Sequence, residues 1–283
     1  MTAAAPAQRR FSWAWLGVVP FVVFTIAFLI LPTAYLFIGS VQGTGGQLTL
    51  QNYAHLSEPN IADAYAASIE ISLVTAIGGG LFGFLLAYAV ISGGLPSILR
   101  SALMTFSGVA SNFAGVPLAL AFTFTLGASG LLTPLLIALG LKVNIYSKTA
   151  LELAYMYFQF PLMVLIIAPA IDGLRKDWRE AAENMGATSL QYWRHIGLPI
   201  LFPSLLGSII LLFGNAFGAQ ATAYQLSGGT INIVTIQITR QLRGDVNRDP
   251  GIGYAMAIGM VIVMAISIAA YSVLQRRAER WLR

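Results

Sequence analysis

The stretch EAAENMGATSLQYWRHIGLP, residues 180–199, is the most polar long segment of a 283-residue chain that is otherwise dominated by hydrocarbon side chains. Together with the preceding IDGLRKDWR, it repeats apolar residues at spacings of four, three and four, which places them on one side of a helix. These residues are Leu174, Trp178, Ala181 and Met185. The opposite side is charged, so the sequence predicts an amphipathic helix at the surface of a highly apolar protein.

The second half of the stretch contains the signals of a turn and another helix. Gly186 is well placed as the residue that follows the C-terminus of the first helix. Residues 188–191, Thr-Ser-Leu-Gln, have the pattern of a capping box, in which the first and fourth side chains bond each other's backbone. Gly197 and Pro199 are predicted to end this second helix and to start the next apolar run. We therefore expect a helix, a turn and a helix over residues 172–198.

The composition indicates that the solvent of most of the chain is a lipid bilayer. Hydrophobic residues make up 57% of the chain and charged residues 10%, whereas a soluble domain carries about 25% charged residues. Six apolar runs are long enough to cross roughly 30 Å of hydrocarbon as helices. They are residues 13–38, 67–91, 102–126, 149–171, 199–219 and 253–275. The sequence thus predicts an all-α membrane protein with six transmembrane helices in one bundle.

Basic residues set the predicted orientation. With the N-terminus in the cytoplasm, the cytoplasmic segments hold eleven of the sixteen lysines and arginines, and the external segments hold five. This predicts a cytoplasmic N-terminal tail at 1–12, a transmembrane domain at 13–275 with its 172–198 loop in the cytoplasm, and a cytoplasmic C-terminal tail at 276–283. The net charge of +5 then follows from topology, and no nucleic-acid partner is expected.

Glycines and prolines within the spans predict how the helices pack and bend. Gly79 with Gly83 and Gly214 with Gly218 are each four residues apart, a spacing that lets neighbouring helices approach closely in lipid. Pro117 and Pro161 each remove a backbone hydrogen bond inside a span, and each is predicted to kink its helix.

The chain carries no recognisable catalytic or metal site. Lys142, Lys148 and Lys176 are its three lysines, and none follows a glycine as a phosphate-cradling loop requires. His55 and His195 are its two histidines, and they fall in different predicted loops. His195 is predicted to complement a helix C-terminus. We therefore expect no catalysis, no metal and no bound cofactor in this chain.

Polar residues within the spans are candidates for a solute path, because burying them in lipid is costly. Glu152, Tyr155 and Gln159 form one stripe at spacings of three and four. Ordinary hydrogen bonding between helices is the alternative explanation. The full set of path candidates is Asn112, Glu152, Tyr155, Gln159, Asn215, Gln220, Thr222 and Tyr224.

Glu180-Ala181-Ala182, then Gly186, then the sequence Ile-Gly-Leu-Pro ending at Pro199 all fall in the register of a known motif. The pattern resembles the EAA motif of the permease subunits of type I binding-protein-dependent ABC importers. The segments 48–56, 68–90, 215–229 and 244–260 look like the polyamine (spermidine/putrescine) branch of that family.

The resemblance implies a MetI-like ABC importer permease fold with a cytoplasmic coupling helix. It also implies two separate ABC ATPase subunits that bind ATP-Mg, a second permease subunit, an extracytoplasmic solute-binding protein and a bacterial inner membrane. By analogy with the polyamine branch, we expect the second permease to be a related chain rather than an identical copy. Related importers of ferric iron, thiamine and phosphonates share similar segments, so the resemblance offers a polyamine-like solute and leaves these others open. The residues implied to couple to the ATPase are Trp178, Glu180, Ala181, Ala182, Met185, Gly186, Ala187 and Pro199.

Two other functions are compatible with a polytopic membrane chain. An ion-driven secondary transporter predicts interrupted spans repeated in two halves, and no duplicated pair is evident in the sequence. A non-transporting scaffold would use the 172–198 loop only to dock a partner. The presence or absence of a P-loop in a co-purifying protein would separate these alternatives from the importer.

Overall fold

The computed structural model describes residues 15–43, 45–141, 144–243 and 249–279, and within these ranges the regular structure is helical. The first part contains α1 (Trp15–Thr25), a π-helical segment (Ile26–Ile30), α2 (Leu31–Ser40), α3 (Gln51–Ala54), α4 (Pro59–Ser92), α5 (Ser97–Asn112) and α6 (Val116–Leu126). The second contains α7 (Thr133–Ala138), α8 (Lys148–Asp172), α9 (Lys176–Asn184), α10 (Ser189–Tyr192), a π-helical segment (Trp193–Gly197), α11 (Leu198–Gly218), α12 (Ala221–Ser227), α13 (Val234–Arg243) and α14 (Pro250–Glu279). The predicted tail 1–12 lies outside the described residues.

Five continuous helical stretches are long and apolar enough to span a membrane, and they correspond to five of the six predicted spans. They are Gly17–Ser40, Pro59–Ser92, Lys148–Asp172, Ser189–Gly218 and Pro250–Arg277.

The prediction of one kinked helix over 102–126 is wrong, because α5 and α6 meet at an angle of 99°. Gly115 precedes α6 with φ of +73°, a conformation that favours glycine. Pro117 then occupies the first turn of α6, where its missing N–H breaks no helical bond. The chain therefore stops and restarts at this point.

The expectation that Gly197 and Pro199 end a short helix is also wrong. α10, the π-helical segment and α11 form one helical stretch from Ser189 to Gly218. The Leu198 N–H bonds the Trp193 carbonyl five residues earlier, and this wider turn accommodates the proline without a break. A second π-helical segment likewise ends directly before the Leu-Pro pair at 31–32.

The centre of the bundle is the close contact between α4 and α8. A Cβ added at Gly79 would lie 2.8 Å from the Gln159 Cβ, and one at Gly83 would lie 2.5 Å from the Phe160 carbonyl oxygen. Only glycine allows the two backbones this approach, so the first predicted glycine pair is confirmed as a packing site. The second pair differs, because a Cβ at Gly218 would have nothing within 4 Å.

The first span lies at the edge of the bundle. In the most apolar 18-residue stretch of this span, no residue is buried against the rest of the chain. Its C-terminal part packs on α14, where a Cβ added at Gly39 would meet the Tyr254 ring at 2.4 Å. Most of this helix must therefore be covered by lipid or by another chain.

Candidate coupling segment and solute path

Residues 172–198, here called the coupling segment, begin with the polar helix α9. Gly186 follows its C-terminus with φ of +79°, as predicted. The Gly186 N–H bonds the Glu183 carbonyl at 2.9 Å, and the Ala187 N–H bonds the Ala182 carbonyl at 3.0 Å. These bonds satisfy the end of α9 and turn the chain sharply.

The predicted capping box begins α10. The Thr188 N–H donates to Gln191 Oε1 at 2.7 Å, and the Gln191 N–H donates to Thr188 Oγ1 at 3.3 Å. Tyr192 is buried, and the Trp193 ring meets Tyr88 of α4 edge-on at 4.8 Å between ring centres. The capped turn is therefore fixed to the bundle through aromatic contacts.

The residues of the coupling segment divide between the bundle and the surface. Ala182 is buried within this chain, whereas Met185 and Leu190 are each 79% exposed. Of the other predicted coupling residues, Glu180, Ala181 and Gly186 are exposed, and Trp178, Ala187 and Pro199 are half-buried. Ala182 therefore packs against the chain itself and does not face outward.

Ion pairs surround the segment. Arg100 at the start of α5 bonds Asp172 at the end of α8, with 2.5 Å between Nη2 and Oδ2. Arg179 Nε donates to Glu183 Oε1 at 2.9 Å, and this bond raises the pKa of Arg179 so that its charge persists. A polar cleft of about 530 Å³ lies between the segment and the ends of α4, α5 and α8.

His195 does not cap a helix C-terminus as predicted, because the helix continues through it. Its Nδ1 lies 2.9 Å from the Gln191 carbonyl oxygen. Within the described residues, no group of three or more histidine or acidic side chains is placed to hold a metal ion.

The predicted polar stripe on α8 faces the other helices of the bundle. Tyr155 is buried and its hydroxyl donates to the Ala219 carbonyl. Gln159 is also buried, and its Nε2 donates to Thr75 Oγ1 of α4 at 2.6 Å. Glu152 is half-buried. The first two residues thus have the contacts expected of interhelical hydrogen bonds, and lining of a path stays a prediction for the stripe.

Thr222 joins α12 to the break between α5 and α6. Its Oγ1 accepts from the Gly115 N–H at 2.8 Å. Asn112 and Asn215 are exposed, and Asn112 Nδ2 donates to the Gly108 carbonyl within its own helix at 2.8 Å.

Gln220 and Tyr224 are brought together in a cleft of about 440 Å³, here called the arginine cleft. Its lining residues are Gln220, Tyr224, Gly228, Gly229, Thr239, Arg240 and Arg243. Gln220 Nε2 donates to Thr239 Oγ1 across it. Sequence reasoning missed the contribution of α13, because Arg240 and Arg243 were counted there only among the five basic residues of the external segments. Their spacing of three on an amphipathic segment was the signal that could have identified them.

Residues 79–283 match the family described as binding-protein-dependent transport system inner membrane component. Because the match covers well over half of the chain, the protein belongs to this family, the permease subunits of type I ABC importers. The resemblance carried by the EAA motif is thereby confirmed.

Relatives and a solved structure agree with this assignment. A probable sulfate transport system permease protein cysT of Nephroselmis olivacea is 25% identical over 224 residues, covering 78% of this chain and 74% of that protein. The spermidine/putrescine transport system permease protein PotB of Haemophilus influenzae is 25% identical over 240 residues, covering 82% of each.

The crystal structure of a bacterial ABC transporter involved in the import of the acidic polysaccharide alginate contains a similar chain. The TM-score is 0.73 at 18% identity, covering 93% of this chain and 95% of that one. This likeness establishes the fold, and it confirms the expected MetI-like permease architecture.

Proposed function

We propose that this chain, paired with a second permease subunit, forms the path of a small solute and couples it to ATP hydrolysis in two separate ATPase subunits. An extracytoplasmic binding protein delivers the solute. The coupling segment and both termini lie in the cytoplasm of a bacterial cell, and the spans cross its inner membrane. The excess of basic residues in the segments placed inside supports this orientation.

The observation that carries the proposal is the form of the coupling segment. Met185 and Leu190 are 79% exposed on either side of the Gly186 turn, where the polar helix α9 ends and α10 begins with its capping box. Exposed apolar side chains on a polar element are suited to fill pockets on a partner protein. Glu180 is exposed beside them and offers a carboxylate to a basic residue of the ATPase.

The segment is also connected to the helices that must move. α10 continues without interruption into α11, and the aromatic contact between Tyr88 and Trp193 joins it to α4. Closure of the ATPase dimer would therefore displace two spans directly. Alternating access requires that the ATPases bind the inward-facing and outward-facing permease with different affinities.

The names of the relatives do not select one solute. At 25% identity each, one relative is named for sulfate and another for spermidine and putrescine. The expected polyamine-like solute therefore stays a prediction. A related rather than identical second permease stays a prediction as well.

The experiment is a pull-down of the chain from solubilised membranes, with partners identified by mass spectrometry and assayed for ATP hydrolysis. Gly186→Asp introduces a side chain at a positive φ on the coupling segment. Gly46→Asp is the matched control, because Gly46 has φ of +75° and open space around it but lies before α3, far from the segment.

We expect wild type and Gly46→Asp to recover a P-loop ATPase and Gly186→Asp to lose it. Recovery of the ATPase by all three proteins would remove the coupling segment from the interface. Absence of any P-loop protein from the wild-type sample would return the question to an ion-driven transporter or a scaffold.

A further inference from the structure

The arginine cleft is built by a turn, a break and an amphipathic helix. Gly228 and Gly229 have φ of +60° and +78°, so the chain reverses tightly after α12. Arg240 Nη2 donates to the Gly229 carbonyl, which holds its guanidinium against this turn. A Cβ added at Gly229 would lie 3.2 Å from the Tyr224 ring, so the turn also supports that side chain.

Two arginines line this cleft. Arg240 and Arg243 are three residues apart on α13 and therefore lie next to each other on the helix surface. Cations in the last turn complement the helix dipole, but that effect does not require both side chains to line one concave site. Like charges in such proximity repel, and a bound anion would offset the repulsion.

The hydrogen-bond donors that line the cleft suit an anion. Arg240 uses one donor on Gly229, and arginine carries five N–H donors in a planar fork that matches carboxylate, phosphate and sulfate geometry. Tyr224 is 51% exposed and adds a hydroxyl to the lining.

Among the described residues, no carboxylate lines this cleft or the adjoining one of about 290 Å³ that shares Gln220, Thr239 and Arg243. The described carboxylate of the same connection, Asp249, accepts the Gly251 N–H at 2.9 Å and so serves the start of α14. Asp245 lies outside the described residues.

The cleft lies at the end of the bundle opposite the coupling segment. α11 runs without interruption from Leu198 to Gly218, which is 21 residues and therefore roughly 30 Å of helix. Gln220 is the second residue after its end. With the coupling segment in the cytoplasm, the cleft faces the side on which a binding protein would release its solute.

We propose that Arg240 and Arg243 form an anion-binding site at the outer mouth of the solute path, and that the imported solute is an oxyanion or carries carboxylate, sulfate or phosphate groups. This inference rests on the proposed transport function for the role of the site. The binding of anions by the site is independent of it, so the two can fail separately.

The test is arginine modification by phenylglyoxal on the full chain in phosphatidylcholine nanodiscs, with each arginine followed by mass spectrometry. Sulfate, phosphate, citrate and spermidine are the probes, compared at matched ionic strength with sodium chloride. Arg277 is the internal control, since it is exposed in the last turn of a helix at the opposite end of the bundle. Charge-assisted hydrogen bonds lead us to expect roughly tenfold slower modification of Arg240 and Arg243 with at least one anion.

Protection of both arginines by an anion but not by spermidine, with Arg277 unchanged, supports the site. If the modification rates of Arg240 and Arg243 stay at their sodium chloride values with all four probes, the site is overturned. Protection by spermidine overturns it as well. A lipid phosphate is the other source of this chemistry, so the nanodiscs are also made with phosphatidylglycerol. If phosphatidylglycerol slows the modification of the two arginines more than any soluble anion does, the arginines bind lipid headgroups. That outcome would overturn the solute assignment.

Uptake by the assembled transporter gives the functional arm. If the transporter imports an anion, the double variant Arg240→Gln with Arg243→Gln should raise its KM roughly tenfold and leave ATPase recovery normal, while Arg277→Gln changes neither. ATP-driven import of spermidine but of none of the anions would overturn the anion assignment and leave the importer function intact. Loss of ATPase recovery in wild type would count against the proposed function, whatever the labelling shows.

Discussion

Replacing Gly83 by alanine should loosen the contact between α4 and α8, whereas the same change three residues earlier should not. A Cβ at Gly83 would lie 2.5 Å from the Phe160 carbonyl oxygen and 2.6 Å from the Met163 Cβ, about 1 Å inside the ordinary separation of packed atoms. At Gly80 the nearest atoms, on Ile209 and Leu212, are 3.5 and 3.6 Å away. The first site must shift backbone atoms, and the second already has room for a methyl group.

The comparison of the two variants isolates the packing cost. Replacing glycine by alanine stabilises the helical form of α4 by about 1 kcal/mol in either variant. This contribution therefore cancels when the stabilities of the two variants are compared. Overpacking at Gly83 costs about 1–3 kcal/mol, since the obstacle is helix backbone and cannot rotate away. Gly83→Ala should therefore be less stable than Gly80→Ala by about 1–3 kcal/mol.

The assay is thermal unfolding of each variant in one detergent, followed by the loss of the folded peak in size-exclusion chromatography. At about 2–4 °C per kcal/mol, the midpoint of Gly83→Ala should lie several degrees below that of Gly80→Ala. Equal midpoints, or a higher one for Gly83→Ala, would show that α4 and α8 are not in direct backbone contact at this position.

Two predictions concern function. Glu180→Lys reverses an exposed charge on the coupling segment, so ATPase recovery and uptake should fall roughly tenfold or more while insertion into the membrane stays normal. Quantitative pull-down and fractionation measure this, and undiminished recovery would contradict it. Glu152→Ala removes the half-buried carboxylate of the α8 stripe and should reduce uptake more than ATPase assembly. Unchanged uptake kinetics in that variant would show that Glu152 has no part in the solute path.

Local signals in the sequence predicted the coupling segment well. Gly186 and the capping box at 188–191 depend on bonds between residues that are at most five apart, so the sequence carries all the partners. The same approach failed at Pro117 and Pro199. Pro117 lies in the first turn of a helix that restarts after a sharp break, whereas Pro199 follows a π-helical turn within a continuous helix. The local sequence is compatible with either outcome at each proline.

The sequence by itself identified five of the continuous helices that are long and apolar enough to enter the bilayer, because that property depends on composition and length alone. It also determined the EAA motif, and through it the family. Only the tertiary structure decided which polar residues meet. Tyr155 bonds the Ala219 carbonyl and Gln159 bonds Thr75 of α4, while Gln220 and Tyr224 line one cleft with Arg240 and Arg243. Contacts of this kind depend on how closely helix backbones approach each other and on where the chain reverses direction. Both are properties of the packed bundle and not of any one segment.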